Sequence, residues 1–98
     1  MYVDGVWAWL LLARNESAAA RLTTELVQTL NGRPPTAVDL PQLPYAQMIV
    51  KETLRLFPPA WYLFRQAAGL SLDGEPIPDG AIIFLMPFTT QRDGRWFA

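Results

Sequence analysis

Cysteine and histidine are both missing from the 98 residues of this chain. Their absence excludes disulfides, thiolate and imidazole metal ligation, and every Cys–His or Ser–His nucleophilic arrangement within these residues. A strong charge of one sign is missing as well. Eight basic and nine acidic residues, spread singly, leave a net charge of −1. With no basic run or stripe, nucleic acid and anionic membrane are poor partners. Long hydrophobic runs are also lacking. Val6–Ala13 is apolar throughout but far short of the roughly 20 residues that span a bilayer. Asp4 stands where a signal peptide needs positive charge. The first helix is therefore expected to be a packed one, and the location cytoplasmic.

What the chain does have is apolar side chains. Hydrophobic residues make up 51%, with four tryptophans. A chain of this length is one domain at most, and a small domain buries only about 60% of its unfolded surface. The composition suggests a piece that packs against more protein, although a compact domain or an oligomer would read similarly.

Residues 2–14 read as a buried helix ending at Arg14-Asn15. Asn15 can cap a second helix over Glu16–Asn31, because its short side chain accepts from orphan amides of the first turn. Ala19, Leu22, Leu26 and Leu30 form its apolar stripe, with Arg21, Glu25 and Gln28 facing away. Asn31-Gly32 is a stop signal, and Pro34-Pro35 prevents resumption. A connection punctuated by Pro41 and Pro44 leads to a third helix, Tyr45–Phe57, closed by Pro58-Pro59. Trp61–Arg65 is extended in character. Asp73-Gly74 between short arms signals a hairpin, Pro78-Asp79-Gly80 a turn, and Ala81–Met86 a covered strand. The expectation is α+β: three helices, then a small antiparallel sheet. It is read as one partial domain, helical over residues 1–58 and β-rich over residues 59–98.

The third helix carries a charged pair in an unexpected place. At about 100° per residue, Tyr45, Met48, Ile49 and Leu56 fall on one side. Glu52 lies in the middle of that cluster and Arg55 at its margin. A buried lone carboxylate would cost several kcal/mol. An arginine three residues on can reach it, and the planar guanidinium keeps donors to spare. Such a pair rarely improves stability over an apolar one, and is more easily understood as a positioning device. Spacing alone favours an ordinary surface ion pair, and the wheel position brings the two readings level.

The context gives the pair a meaning. Leu43-Pro44-Tyr45, Glu52-Thr53-Leu54-Arg55, Pro58-Pro59 and Arg65 together resemble the K-helix region of the cytochromes P-450, the haem-thiolate monooxygenases. Trp7–Arg14 is similar to the end of that family's I helix, and Glu16–Asn31 to its J helix. Glu75–Gly80 is similar to its β-hairpin, and Pro87–Phe97, with Arg92-Asp93, to the segment before its meander. The resemblance implies a fragment of a larger, mainly α fold. It implies that Glu52 and Arg55 are a buried structural pair near haem, and that Arg65 binds a haem propionate. Ala60, Trp61, Tyr62, Leu63 and Phe64 would line the substrate pocket, a reading compatible with strand core. It also implies an apolar small-molecule substrate and an electron-transfer protein as partners of the parent enzyme.

There are departures from the pattern. The thiolate loop that ligates iron in the family is expected beyond Ala98, and so is the meander arginine that joins the pair. The family's acid–alcohol segment is expected before Met1, and Tyr2–Gly5 does not reproduce it, so Asp4 inherits no role. Gln91 stands where a histidine is common. No catalytic residue or metal ligand is expected in this chain, and alone it is expected to be inactive. Two other readings compete: a helical module that binds a protein partner through apolar faces, and an apolar-ligand carrier without redox activity. The interaction module would leave Glu52 solvated.

Overall fold

The computed structural model describes residues 2–97, with side chains from Gly5 onward. The side chain of Asp4 thus lies outside the described residues. The chain divides into two compact units, Met1–Pro59 and Ala60–Ala98, where the sequence suggests a single partial domain with a change of character after residue 58.

The first unit is helical: α1 (Tyr2–Ala13), α2 (Glu16–Leu30), a short 3-10 helix (Ala37–Gln42) and α3 (Pro44–Leu56). Local chemistry sets its ends. The Asn15 side chain accepts from the Ala18 amide at 3.1 Å and starts α2. Asn31, at φ 49°, closes it in the left-handed region, where a short polar side chain is tolerated. Pro44 occupies the first turn of α3, where no amide hydrogen is missed. Pro58 ends α3 after Phe57 donates back to the Thr53 carbonyl at 2.8 Å.

Packing departs from expectation at α1. The helix packs on α2 and α3, and Trp7, Ala8, Leu11 and Leu12 are half-buried. The Trp7 ring stacks on Phe57, with centroids 4.1 Å apart and planes 2° from parallel. Val6 is exposed, however, and Trp9 is 74% exposed. Two neighbouring helices cover one stripe of α1, so a helix apolar all round keeps an open side. On α2 the stripe Ala19, Leu22, Leu26 and Leu30 turns inward as the spacing suggests, with Leu30 buried.

The second unit holds β1 (Leu63–Gln66), β2 (Ser71–Leu72), β3 (Glu75–Pro76), β4 (Ile82–Leu85) and a four-residue α4 (Pro87–Thr90). β1 pairs antiparallel with β4, Leu63 opposite Leu85 and Arg65 opposite Ile83. β2 and β3 form a separate hairpin. Its two-residue loop, Asp73 at φ 50° and Gly74 at φ 86°, matches the right-handed twist of its arms. Ala67 anchors the unit. It is buried, donates to Ala81 at 2.8 Å and accepts from Gly80 at 2.9 Å. The strand expected to be covered, β4, instead leaves Ile82, Phe84 and Leu85 exposed.

Candidate functional site

Within the first unit, α3 brings Glu52 and Arg55 together. Arg55 donates from Nε to one Glu52 oxygen at 2.8 Å and from Nη2 to the other. The two-pronged geometry holds the Glu52 carboxyl below its usual range, chiefly through the bonds from Arg55, and raises the guanidinium in return. The pairing is present; the expected burial is not. The Glu52 side chain is 54% exposed and that of Arg55 21%. The residue of α3 that is buried is Thr53, whose hydroxyl returns to the Ile49 carbonyl at 2.8 Å. Glu52 instead lines an open groove of about 480 Å³ beside Tyr45, Met48, Ile49 and Leu56 of α3 and Leu11 of α1. The helical wheel grouped the right side chains, but that side borders a groove, not a packed interior.

Other residues, unremarkable in the sequence, fix where α3 begins. Leu43 offers no side-chain cap, and Glu25 supplies one from the neighbouring helix. Its two carboxylate oxygens accept from the Tyr45 and Ala46 amides at 2.8 and 2.9 Å. A carboxylate there also meets the positive end of the helix dipole. One turn earlier on α2, the Arg21 guanidinium lies 4.4 Å from the centre of the Tyr45 ring. Both residues were expected to face away. They turn toward α3 because the charged flank of α2 borders its first turn.

The connection before α3 is held by a second cluster. Asp39 accepts from Arg33 with both oxygens, one at 2.8 Å, and from the amide and hydroxyl of Thr36 at 2.7 and 2.9 Å. Its side chain is 3% exposed while that of Arg33 is half exposed. The Arg33 bonds, with those from Thr36, hold the Asp39 carboxyl far below the usual carboxylate range. This is a capping box that starts the 3-10 helix at Thr36; the helix ends at buried Leu43.

The other expected site residues, Ala60–Arg65, belong to the second unit. Trp61, Tyr62, Leu63 and Phe64 are all exposed. Trp61 and Tyr62 meet edge to face at 4.3 Å. In β1 the side chains alternate, so Leu63 and Arg65 share one face while Phe64 shares the other with Phe84, 6.2 Å away. Leu63 and Phe64 therefore cannot both project from one face of the ribbon. Arg65 is exposed and donates from Nη1 to the Phe64 carbonyl at 2.9 Å. Of its five donors, that bond uses one. Near the end of the unit, Asp93 pairs with Arg95, and Arg92 lies over the Phe88 ring. Among the described residues no three His, Cys, Asp or Glu side chains stand together as metal ligands. No helix there is long and apolar enough to cross a membrane.

Comparison with known proteins adds what the two units cannot supply alone. The profile of the family "Cytochrome P450" matches residues 6–98. Cyclooctatin synthase of Streptomyces melanosporofaciens is 40% identical over 92 residues, covering 93% of this chain and 20% of that protein. Pentalenene oxygenase of Streptomyces avermitilis is 39% identical over 87 residues, 88% of this chain and 19% of its own length. A zebra fish cytochrome P450 solved with progesterone superposes with a TM-score of 0.85 at 24% identity, over 94% of this chain and 22% of that one. The chain thus spans about a fifth of the length of the curated relatives it matches. Glu52 is ion-paired to Arg55 but more than half exposed, the outcome expected of the interaction module and not of the haem reading, so this criterion does not speak for the haem reading. The match across nearly all the residues does: this chain belongs to the cytochrome P450 family.

Proposed function

We propose that the chain is part of a haem-dependent monooxygenase that acts on an apolar organic substrate with electrons from a protein partner, and that these 98 residues are inactive alone. The family match carries this reading. Haem is the family's cofactor; bound through a cysteine thiolate, it activates O₂ so that one oxygen atom enters the substrate and the other leaves as water.

The residues present fit part of that task. Arg65 has donors left over on an exposed strand, the chemistry a propionate carboxylate needs. Glu52 and Arg55 brace α3 and perform no proton transfer in this reading. Glu25 sets the start of the same helix. Trp61–Phe64 supply apolar surface for a substrate. A thiolate is not among these residues, since the chain contains no cysteine, and the iron ligand must come from elsewhere in the parent enzyme.

Adding haem to the purified chain, reducing it and exposing it to CO tests the claim of inactivity. The expected spectrum lacks the band of a thiolate–CO complex. Appearance of that band would refute the claim.

A further inference from the structure

Helix α1 has two apolar sides, and its partners within the first unit use one. Trp7, Ala8, Leu11 and Leu12 are half-buried where α1 packs on α2 and α3. Val6, Trp9, Leu10 and Ala13 are exposed, Val6 at 66% and Trp9 at 74%. Steps of three, one and three put these four in a stripe about 100° wide on the opposite side of the helix. That is the spacing of a seam that receives another helix. From Gly5 to Ala13 the chain carries no charge, so the stripe can meet a copy of itself without opposing like charges. Turned antiparallel about the midpoint between Trp9 and Leu10, one protomer sets Val6 on the partner's Ala13 and Trp9 on the partner's Leu10. A larger side chain then faces a smaller one at each step. The two helix dipoles run in opposite directions, which is favourable side by side.

The exposed area is consistent with such a pairing. A folded monomer of 11.0 kDa exposes about 5,600 Å², whereas this chain exposes 7949 Å². A standard dimer takes about 800 Å² from each partner, so the surplus accommodates one. Tryptophan is also among the residue types that most often dominate such contacts. On α3, by contrast, the exposed residues include Lys51 and Glu52, and a copy of that helix would meet charge.

We infer that two copies of this chain associate through α1, antiparallel, along Val6, Trp9, Leu10 and Ala13. The inference goes beyond the haem reading and does not depend on it, because it assigns a partner to the chain by itself.

Sedimentation velocity of the whole 98-residue chain across the micromolar range tests the association. The expected species is a monomer in equilibrium with a dimer. Trp9→Glu should weaken the dimer by about thirtyfold or more, as for an interface hot spot, and Trp9→Phe should restore much of it. Trp9 lies on the exposed side, so both variants should keep the helical circular dichroism of the unaltered chain. Phe84→Lys, on the exposed β4 strand, should leave the dimer within twofold. Orientation is read by cross-linking, which is clean because the chain has no cysteine. Val6→Cys mixed with Ala13→Cys should give a disulfide-linked dimer under copper–phenanthroline. Neither variant alone should, because equal positions stand about 10 Å apart along the axis, beyond disulfide reach. A monomer throughout, species larger than a dimer, or a dimer dispersed by Phe84→Lys but not by Trp9→Glu would overturn the inference. Cross-linking of Val6→Cys alone, with the mixture silent, would overturn it as well.

Discussion

Replacing Glu25 by alanine should loosen the first turn of α3 without touching α3 itself. The carboxylate accepts two backbone hydrogen bonds, from Tyr45 and Ala46, and Pro44 just before them has no amide to satisfy. Deleting an N-cap acceptor costs about 0.5–2 kcal/mol. Removing a negative charge from a helix N-terminus costs about 0.3–1 kcal/mol. The two overlap, since the same oxygens supply both, so a loss of about 1–2 kcal/mol is expected. At about 1.4 kcal/mol per factor of ten, the Tyr45 and Ala46 amides should exchange with deuterium roughly five to thirty times faster. Native-state hydrogen exchange read by NMR resolves these two positions from the rest of the helix. Glu25→Gln, which keeps one acceptor oxygen, should fall between. Unchanged exchange at both amides in Glu25→Ala would show that the cross-helix cap does not hold α3, and the reasoning would fail.

Two other outcomes are expected. Asp39 is depressed far below its usual range by Arg33 and Thr36; the stability it provides is therefore complete above its unfolded value near about 4 and is lost as pH falls toward the lower folded one. Thermal melts from pH 6 to pH 2.5 should show a shallower acid loss for Asp39→Asn, with Glu52 and Asp93, also lowered by their arginines, supplying the remaining slope; an unchanged slope would rule out the clasp. Glu52→Ala should cost about 0.2–1 kcal/mol in urea unfolding of this chain, as for an exposed ion pair, whereas a loss of about 3–5 kcal/mol would mean the pair is sequestered after all.

Local chemistry made much of this fold legible. Asn15, Asn31-Gly32 and Asp73-Gly74 act through their own backbone neighbours, and each ends or turns the chain where its side chain or positive φ allows. The family resemblance was legible too, because it rests on residue types at fixed spacing along one stretch. Glu25 and Arg21 could not be read the same way. Their periodicity places them on the polar flank of α2, and only the packing of α2 against α3 reveals the amides and ring they meet. Asp39 was hidden similarly: Arg33, six residues earlier, and Thr36, three earlier, come into range only once the proline-rich connection coils into a 3-10 turn. The exposure of Glu52 and Trp9 was missed for a different reason. Hydrophobic patterning states which side wants cover, not whether a neighbour supplies it.

The ribbon has a consequence for handling the isolated chain. Among the described residues each of its two strands keeps one outer edge without a strand partner, and the stretch from Ile82 to Met86 has no charge and no proline. Short uncharged β-formers with open amides are seeds for cross-β stacking. Pro78-Asp79 on one side and Pro87 on the other act as gatekeepers, interrupting that stretch at both ends. Fibril formation at high concentration should therefore start at this segment, and a lysine at Phe84 should delay it.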